Sequence, residues 1–475
     1  MNKHIIIPNY ITIGGKMLEV NKIHQGDCLN VLKELPDNSV DSIVTDPPYN
    51  LSSIKKRFGK ENSAPAKYGK DGSFSRLSKG FMGKEWDNEV AFMPELWKEC
   101  FRVLKAGGYL LSFGGTRTYH RMTCAIEDAG FEVRDMIEWV YGSGFPKSLN
   151  IGKAVDKLQG NEREKYIDED FIKRNPKDNS DGVFESGLKD GIDGAKRTKG
   201  TSKWEGWGTA LKPAHEPICM ARKPLAEKTV AENCLKWGTG GINIDESRVG
   251  CDLDKEDLSR GRQSNGGAIF GSTNKEIKIE ANNLGRFPAN LIHDNSEEVR
   301  ECFPEQKSGV RSSKHKIGNE ENEMFNHGIY GKYKAKNYDD VPASSGNASR
   351  FFKSIIYTAK ASKSERNMGC EELELKKSGC IEARNRESGK GQFEGDTPMG
   401  KNNHPTVKPI KLMEYLIKMV TPKDGIVLDP FAGSGTTLVS SKKNGFRYIG
   451  IEMTEEYIPI INARLNTVKQ ESLFK

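Results

Sequence analysis

Two short stretches of this 475-residue chain combine residue types that can do chemistry. The first is Thr45-Asp46-Pro47-Pro48-Tyr49-Asn50, at the end of the apolar run Val40–Thr45. Two consecutive prolines cannot continue a central strand, so they hold an extended, rigid turn at the strand's carboxyl edge, where open α/β sheets bind ligands. Neither proline has an N–H, which leaves the carbonyls near Asp46 and Pro47 short of local donors and open to a substrate amine. Asp46 adds a carboxylate acceptor and Tyr49 a flat stacking surface. Asp46, Pro47, Pro48 and Tyr49 together suit a planar ring that carries an amino group.

The second stretch is Val427-Leu428-Asp429-Pro430-Phe431-Ala432-Gly433-Ser434-Gly435-Thr436-Thr437. A strand followed by a Gly-x-Gly turn and a helix start lets backbone N–H groups approach a polar ligand closely. Glu452 lies 19 residues after Gly433, at the end of the next apolar run, where an acid commonly takes ribose hydroxyls. Leu438 stands where a dinucleotide fingerprint would have its third glycine, and the Gly-Lys-Ser/Thr of a triphosphate loop is absent. A nucleoside is therefore the better guest than a pyrophosphate.

These residues need elements to hold them, and the flanking pattern supplies alternating strands and helices. In the first block, about 17–149, helical spacing at Cys28–Leu35 precedes the strand Val40–Thr45. A second helical face runs from Phe92 to Leu104 and is expected to stop at Gly107-Gly108, ahead of a strand at Tyr109–Phe113. Thr116–Ala129 reads as helix and Phe131–Tyr141 as strand. In the last block, 404–475, Ile410–Val420 has one apolar helical face, Gly425–Leu428 and Phe446–Glu452 are short strands, and a helix starts after Glu455. Such alternation implies a doubly wound, mostly parallel α/β sheet.

Between them, 150–403 reads as a large insertion. Residues 151–203 carry 12 Lys/Arg against 11 Asp/Glu with few aromatics, so no fold is assigned to them. Trp204, Trp207 and Trp237 are expected in a core, and the isolated His215 and His293 as structural residues.

The net charge of +7 is unevenly spread: residues 51–84 hold nine Lys/Arg against two acids, so the rest of the chain is neutral in sum. That loop, with Lys55, Lys56, Arg57, Lys60, Lys67, Lys70, Arg76 and Lys79, directly follows the proline turn and is the leading candidate for phosphate contacts. Nine cysteines are scattered without a C-x₂₋₄-C pair, which argues against a disulfide framework or a thiolate zinc site, and no metal is expected. No apolar run approaches the roughly 18 residues of a membrane helix, and the start lacks a secretory apolar core. A cytoplasmic location follows as the expectation.

Asp-Pro-Pro-Tyr joined with Asp-Pro-Phe-Ala-Gly-Ser-Gly resembles the paired hallmarks of S-adenosylmethionine-dependent DNA amino-methyltransferases. The proline motif precedes the glycine motif, with the variable insertion between, which is similar to the permuted β class. Asn403-His404-Pro405-Thr406-Val407-Lys408-Pro409 is similar to the motif whose residues, here Thr406 and Lys408, reach the methionine end of the cofactor. Gly26-Asp27 is similar to the acidic motif beside the adenine ring, and 142–150 and 206–217 resemble stretches common in phage and prophage members.

The resemblance implies a Rossmann-like methyltransferase fold with an inserted target recognition region. It also implies S-adenosyl-L-methionine as cofactor, held by Asp27, Asp46, Thr406, Lys408, Asp429, Phe431, Ala432, Gly433, Ser434, Gly435, Thr436 and Glu452. The implied partner is double-stranded DNA, with a homodimer and a cognate restriction endonuclease as further candidates in a prokaryotic or phage setting. The implied reaction is methylation of adenine N6 in a flipped-out base. Cytosine N4 is the alternative, followed by an RNA or protein-amide methyltransferase and a non-catalytic DNA-binding relative.

Overall fold

The computed structural model describes residues 10–13, 16–49, 89–142, 144, 148–169, 196–250, 285–308, 344–355, 363–377 and 399–468. The basic loop 51–84, with all eight of its proposed phosphate contacts, lies outside the described residues. Two compact units are present: Met1–Gly142 together with His215–Lys475, and Ser143–Ala214.

The first unit is built on a nine-stranded sheet. In chain order its strands are β1 (Lys22–Gln25), β2 (Val40–Thr45), β3 (Leu104–Phe113), β4 (Glu132–Val140), β5 (His215–Arg222), β6 (Leu291–His293), β7 (Lys353–Ser354), β8 (Ile426–Asp429) and β9 (Arg447–Glu452). Their spatial order is β7-β6-β4-β5-β3-β2-β8-β9-β1. Every pairing is parallel except the two made by β5, which runs against both β3 and β4. This is the expected doubly wound, mostly parallel sheet, and its central strands β2, β3, β8 and β9 are buried almost throughout because both faces are covered.

The pleat sorts alternate residues to opposite faces. Leu110, Leu428 and Ile449 point to a core shared with the helices α1 (Cys28–Glu34), α2 (Pro94–Val103) and α3 (Tyr119–Asp128). Leu111, Phe113 and Val427 point to the other face, covered by α4 (Ile410–Val420). Trp97 and Leu96 of α2 and Leu412, Leu416 and Ile417 of α4 are fully buried, each worth about 1.5–3 kcal/mol relative to an exposed side chain.

The junction between β2 and β8 joins the two ends of the chain, and side chains fasten it at both ends. The buried Asp41 accepts from the Ile426 N–H (2.7 Å) at the start of β8 and pairs with Lys105. At the other end the Thr45 hydroxyl donates to Asp429 (2.7 Å).

Two features depart from the pattern read in the sequence. The helix α2 stops at Val103 and β3 begins at Leu104, so Gly107 and Gly108 lie inside a strand rather than at a helix end. The left-handed Gly107 (φ +79°) accommodates a register shift against β2 and places its N–H on Lys223 O. In addition, the stretch 150–403, expected as one inserted region, supplies β5, β6 and β7 to the central sheet. What stands apart as a compact unit is the shorter Ser143–Ala214.

That second unit is small and polar. A helix, Ile151–Gln159, is capped by the Asn150 side chain on the Lys153 N–H and closed by left-handed Gly160. The strands Glu164–Ile167 and Lys196–Lys199 pair antiparallel, and Arg163 bridges Asp156 and Glu205. Trp204 and Trp207 meet edge to face at 5.1 Å, but they are 36% and 57% exposed, so the expected core role for these two fails.

Candidate active site

The parallel pairing of β2 with β8 puts the carboxyl ends of both strands on one edge of the sheet. Asp46 and the Gly433 loop therefore emerge side by side, although Thr45 and Asp429 are 384 residues apart in the chain. On the far side of β8, β9 ends at Glu452 and β1 at Gln25, paired in register.

The glycine loop folds around buried protein contacts. Asp429 is almost wholly buried and its Oδ1 accepts from Thr45 and from the Phe431 N–H (3.0 Å). Burial raises its carboxyl from 3.8 to about 6, against hydrogen bonds from Thr437, Thr45 and Phe431 that favour the anion. Gly433 (φ +54°) and Gly435 (φ +78°) are both left-handed, a conformation costing roughly 1–2 kcal/mol for other residues. A Cβ on Gly433 would come within 2.9 Å of His404 Nε2, and one on Gly435 within 2.8 Å of Ile461.

The Glu452 carboxylate accepts from the Gly433 N–H (2.8 Å) through Oε2 and from the Thr454 N–H (2.7 Å) through Oε1. The Thr454 hydroxyl also bonds to this carboxylate, and burial holds the carboxyl above its ordinary value. Asp27 is exposed and caps α1 by accepting from the Asn30 N–H.

Beneath the loop, α5 (Thr436–Lys443) and α6 (Ile458–Thr467) pack together, and Arg464 of α6 is fully buried. Its Nη1 donates to Ser434 O (2.6 Å), Ser434 Oγ (3.1 Å) and Thr436 Oγ1 (3.1 Å). Ser434 and Thr436 thus have hydroxyls engaged by the protein, and Phe431 and Gly433 are the less covered members of the loop. His404 is buried beside Gly433, and burial lowers it to about 4 despite the bond from its Nδ1 to Thr406 O. A neutral ring donating from Nδ1 leaves Nε2 as an acceptor.

The proline turn is held equally firmly. Pro47 and Pro48 are buried, and the Tyr49 carbonyl accepts from the Thr118 hydroxyl (2.9 Å). Gly115 permits this approach, since a Cβ there would lie 3.1 Å from the Tyr49 ring. The Tyr49 hydroxyl donates to Asp46 Oδ1 (2.9 Å) and lies 3.3 Å from Glu216 Oε2.

Lys408 faces the same cluster: its Nζ is 2.6 Å from Asp46 Oδ2, 3.2 Å from Glu216 Oε2 and 3.3 Å from the Tyr49 hydroxyl. It also sits over the Phe113 ring at 4.7 Å. Burial disfavours the Lys408 cation, but Asp46 and Glu216 outweigh it, so the ammonium is held more firmly than an ordinary lysine. Burial, then Asp46 and Glu216, push the Tyr49 phenol well up, so it stays protonated.

The residues singled out in the sequence thus gather at one edge, with Asp46 and Tyr49 on one side of the β2–β8 junction and Gly433 and Glu452 on the other. Lys408 is bound to the Asp46 side, and the Thr406 side chain is exposed. Glu216 and Arg464 were missed. Glu216 opens an apolar strand after a polar stretch and reads as an edge charge, and Arg464 in an amphipathic helix reads as solvated.

A mostly parallel sheet with a Gly-x-Gly loop and a Pro-Pro turn at adjoining strand ends defines a Rossmann-like methyltransferase. The chain matches the model of the N6/N4 DNA methylase family over residues 40–463 and belongs to that family. It is similar to the type II methyltransferase M.HindIII of Haemophilus influenzae, with 27% identity over 241 residues, 47% of this chain and 65% of that one. It is also 45% identical over 71 residues to the type II methyltransferase M.ScaI of Streptomyces caespitosus, covering 15% of this chain and 23% of that one. The chain spans just under two-thirds of the first relative's length and less of the second. Among solved structures, the M1.HpyAVI–SAM complex aligns over 94% of this chain and 99% of that one, at 15% identity and a TM-score of 0.33.

Proposed function

We propose that this chain methylates the exocyclic N6 of adenine within a specific DNA sequence, using S-adenosyl-L-methionine. The observation that carries the reading is the adjacency of Asp46 and the Gly433 loop, fastened by the Thr45–Asp429 hydrogen bond. The residues fit the cofactor. Phe431 and Gly433 are the less covered members of the glycine loop, the Glu452 carboxylate beside Gly433 can accept from ribose hydroxyls, and Asp27 is exposed at the neighbouring strand end. When bound, the cofactor supplies an electrophilic methyl group on sulfur.

An exocyclic amine is a poor nucleophile because its lone pair is delocalised into the ring. Asp46 and the Pro47 carbonyl would accept its two hydrogens and turn the lone pair outward, so positioning and charge do the work. Tyr49 stacks on the extruded base and returns about 1–3 kcal/mol of the few kcal/mol that unstacking costs. No Pro-Cys dipeptide occurs in the chain, so the covalent route used for ring carbons has no nucleophile of that type. The basic loop residues Lys55, Lys56, Arg57, Lys60, Lys67, Lys70, Arg76 and Lys79 are proposed to hold the phosphates.

The test is methyl transfer to a DNA library followed by nucleoside analysis. N6-methyladenine is the expected product, and N4-methylcytosine alone would overturn the adenine assignment. Asp46→Ala should lower turnover by about 10³-fold or more while cofactor affinity by calorimetry survives, because Lys408 keeps Glu216 as a partner.

A further inference from the structure

Four groups converge at the proline turn: the carboxylates of Asp46 and Glu216, the Lys408 ammonium and the Tyr49 hydroxyl. Two anions against one cation leave a net charge of −1. Lys408 lies closer to Asp46 (2.6 Å) than to Glu216 (3.2 Å), so Glu216 is the less compensated carboxylate. The Tyr49 hydroxyl stands between the two acids, and the Glu216 side chain retains 23% of its exposure. We propose that Glu216 is the exit for the proton released by methyl transfer, acting through Tyr49 as a positioning and proton-accepting residue.

The inference rests on the amino-methyltransferase reading. Transfer forms an N–C bond, breaks the S–C bond with its electrons left on sulfur, and breaks one N–H bond. One proton must leave the site per turnover. Asp46, as the acceptor facing the amine, takes it first. Once Asp46 is protonated, the Tyr49 hydroxyl turns from Asp46 Oδ1 to Glu216 Oε2, accepts from Asp46 and gives its own hydrogen to Glu216. The tyrosine stays neutral throughout, as its strongly raised phenol requires. Glu216 returns the proton to solvent, and Lys408 stays charged and bridges whichever carboxylate is ionised.

Other charged groups bear on this cluster. His215 of the same strand lies 3.6 Å from Glu138 of β4, Tyr141 acts on Tyr49, and His404 and Asp429 act on Asp46. Of these, Glu216 alone shares both the Tyr49 hydroxyl and the Lys408 ammonium with Asp46.

The experiment measures single-turnover methylation of DNA by the wild type, Glu216→Gln and Glu216→Asp between about pH 5 and 8.5. It also measures cofactor and DNA affinity and thermal melting. Glu216→Gln should slow the step by about 10–100-fold at pH 8 and flatten its acidic limb. Affinities should stay within threefold of the wild type, and Glu216→Asp should restore part of the rate.

A Gln variant that keeps both rate and acidic limb would overturn the relay and leave the proposed function standing. So would a rate loss matched by equal loss of affinity or melting temperature. A wild type that modifies no DNA would overturn both.

Discussion

Asp429 shows how one side chain serves structure and chemistry together. It joins the two motif-bearing strand ends through Thr45 and caps the glycine turn through the Phe431 N–H, yet its burial raises its carboxyl to about 6. A raised acid stabilises the fold fully below its unfolded value near 4, and this stabilisation is lost as pH rises through about 6. At pH 8 the shift amounts to a cost on the order of 3 kcal/mol. An asparagine would keep the Oδ1 bonds to Thr45 and Phe431 without the charge. Asp429→Asn should therefore melt higher than the wild type at pH 8, with the advantage shrinking towards pH 4. An advantage that does not change between pH 4 and 8 would refute the titration argument. The types of Asp46, Tyr49 and Gly433 were legible in the sequence because rigid turns and strand ends are local features. The partners Lys408 and Glu216 were not assigned to Asp46, because long-range contacts, across 362 residues in the case of Lys408, leave no local pattern.

At the scale of elements, the strand Val40–Thr45 and the helix Ile410–Val420 match the pattern read from periodicity because their apolar faces are unambiguous. The antiparallel β5 was not legible as a member of the sheet, since pairing direction and neighbours are set by tertiary contacts. The glycine loop is the element on which cofactor binding is expected to turn. Gly433→Val adds branched carbons where even one Cβ lies 2.9 Å from His404 Nε2, and it forces a left-handed conformation that β-branched residues resist. Cofactor affinity measured by calorimetry should fall at least about tenfold, with the melting temperature reduced by a smaller margin. Arg464→Met removes the cation that holds Ser434 and Thr436 from below and should weaken the same affinity without touching the ligand. Unchanged affinity in both variants would show that the loop is not the cofactor cradle.

At the scale of the whole molecule, β4 and β5 form an antiparallel pair in which Val140 faces His215. The chain between these two strands, Ser143–Ala214, is the second compact unit, so in sequence it stands where a hairpin would have its turn residues. Directly opposed residues in such a pair have Cα atoms only about 5 Å apart. Gly142 is anchored within the first unit, its N–H donating to Asp294 Oδ2 (2.9 Å). Replacing 143–214 by Asn-Gly would thus close β4 onto β5 through a short loop that keeps the Val140–His215 register. None of the residues gathered around Asp46, Gly433 and Glu452 lies in the excised span. The shortened chain should melt cooperatively and bind S-adenosyl-L-methionine within about threefold of the full chain, since loop length changes stability only weakly. A shortened chain that shows no cooperative melt would mean the nine-stranded sheet depends on the excised unit for its stability, and the division into two units would not be one of folding.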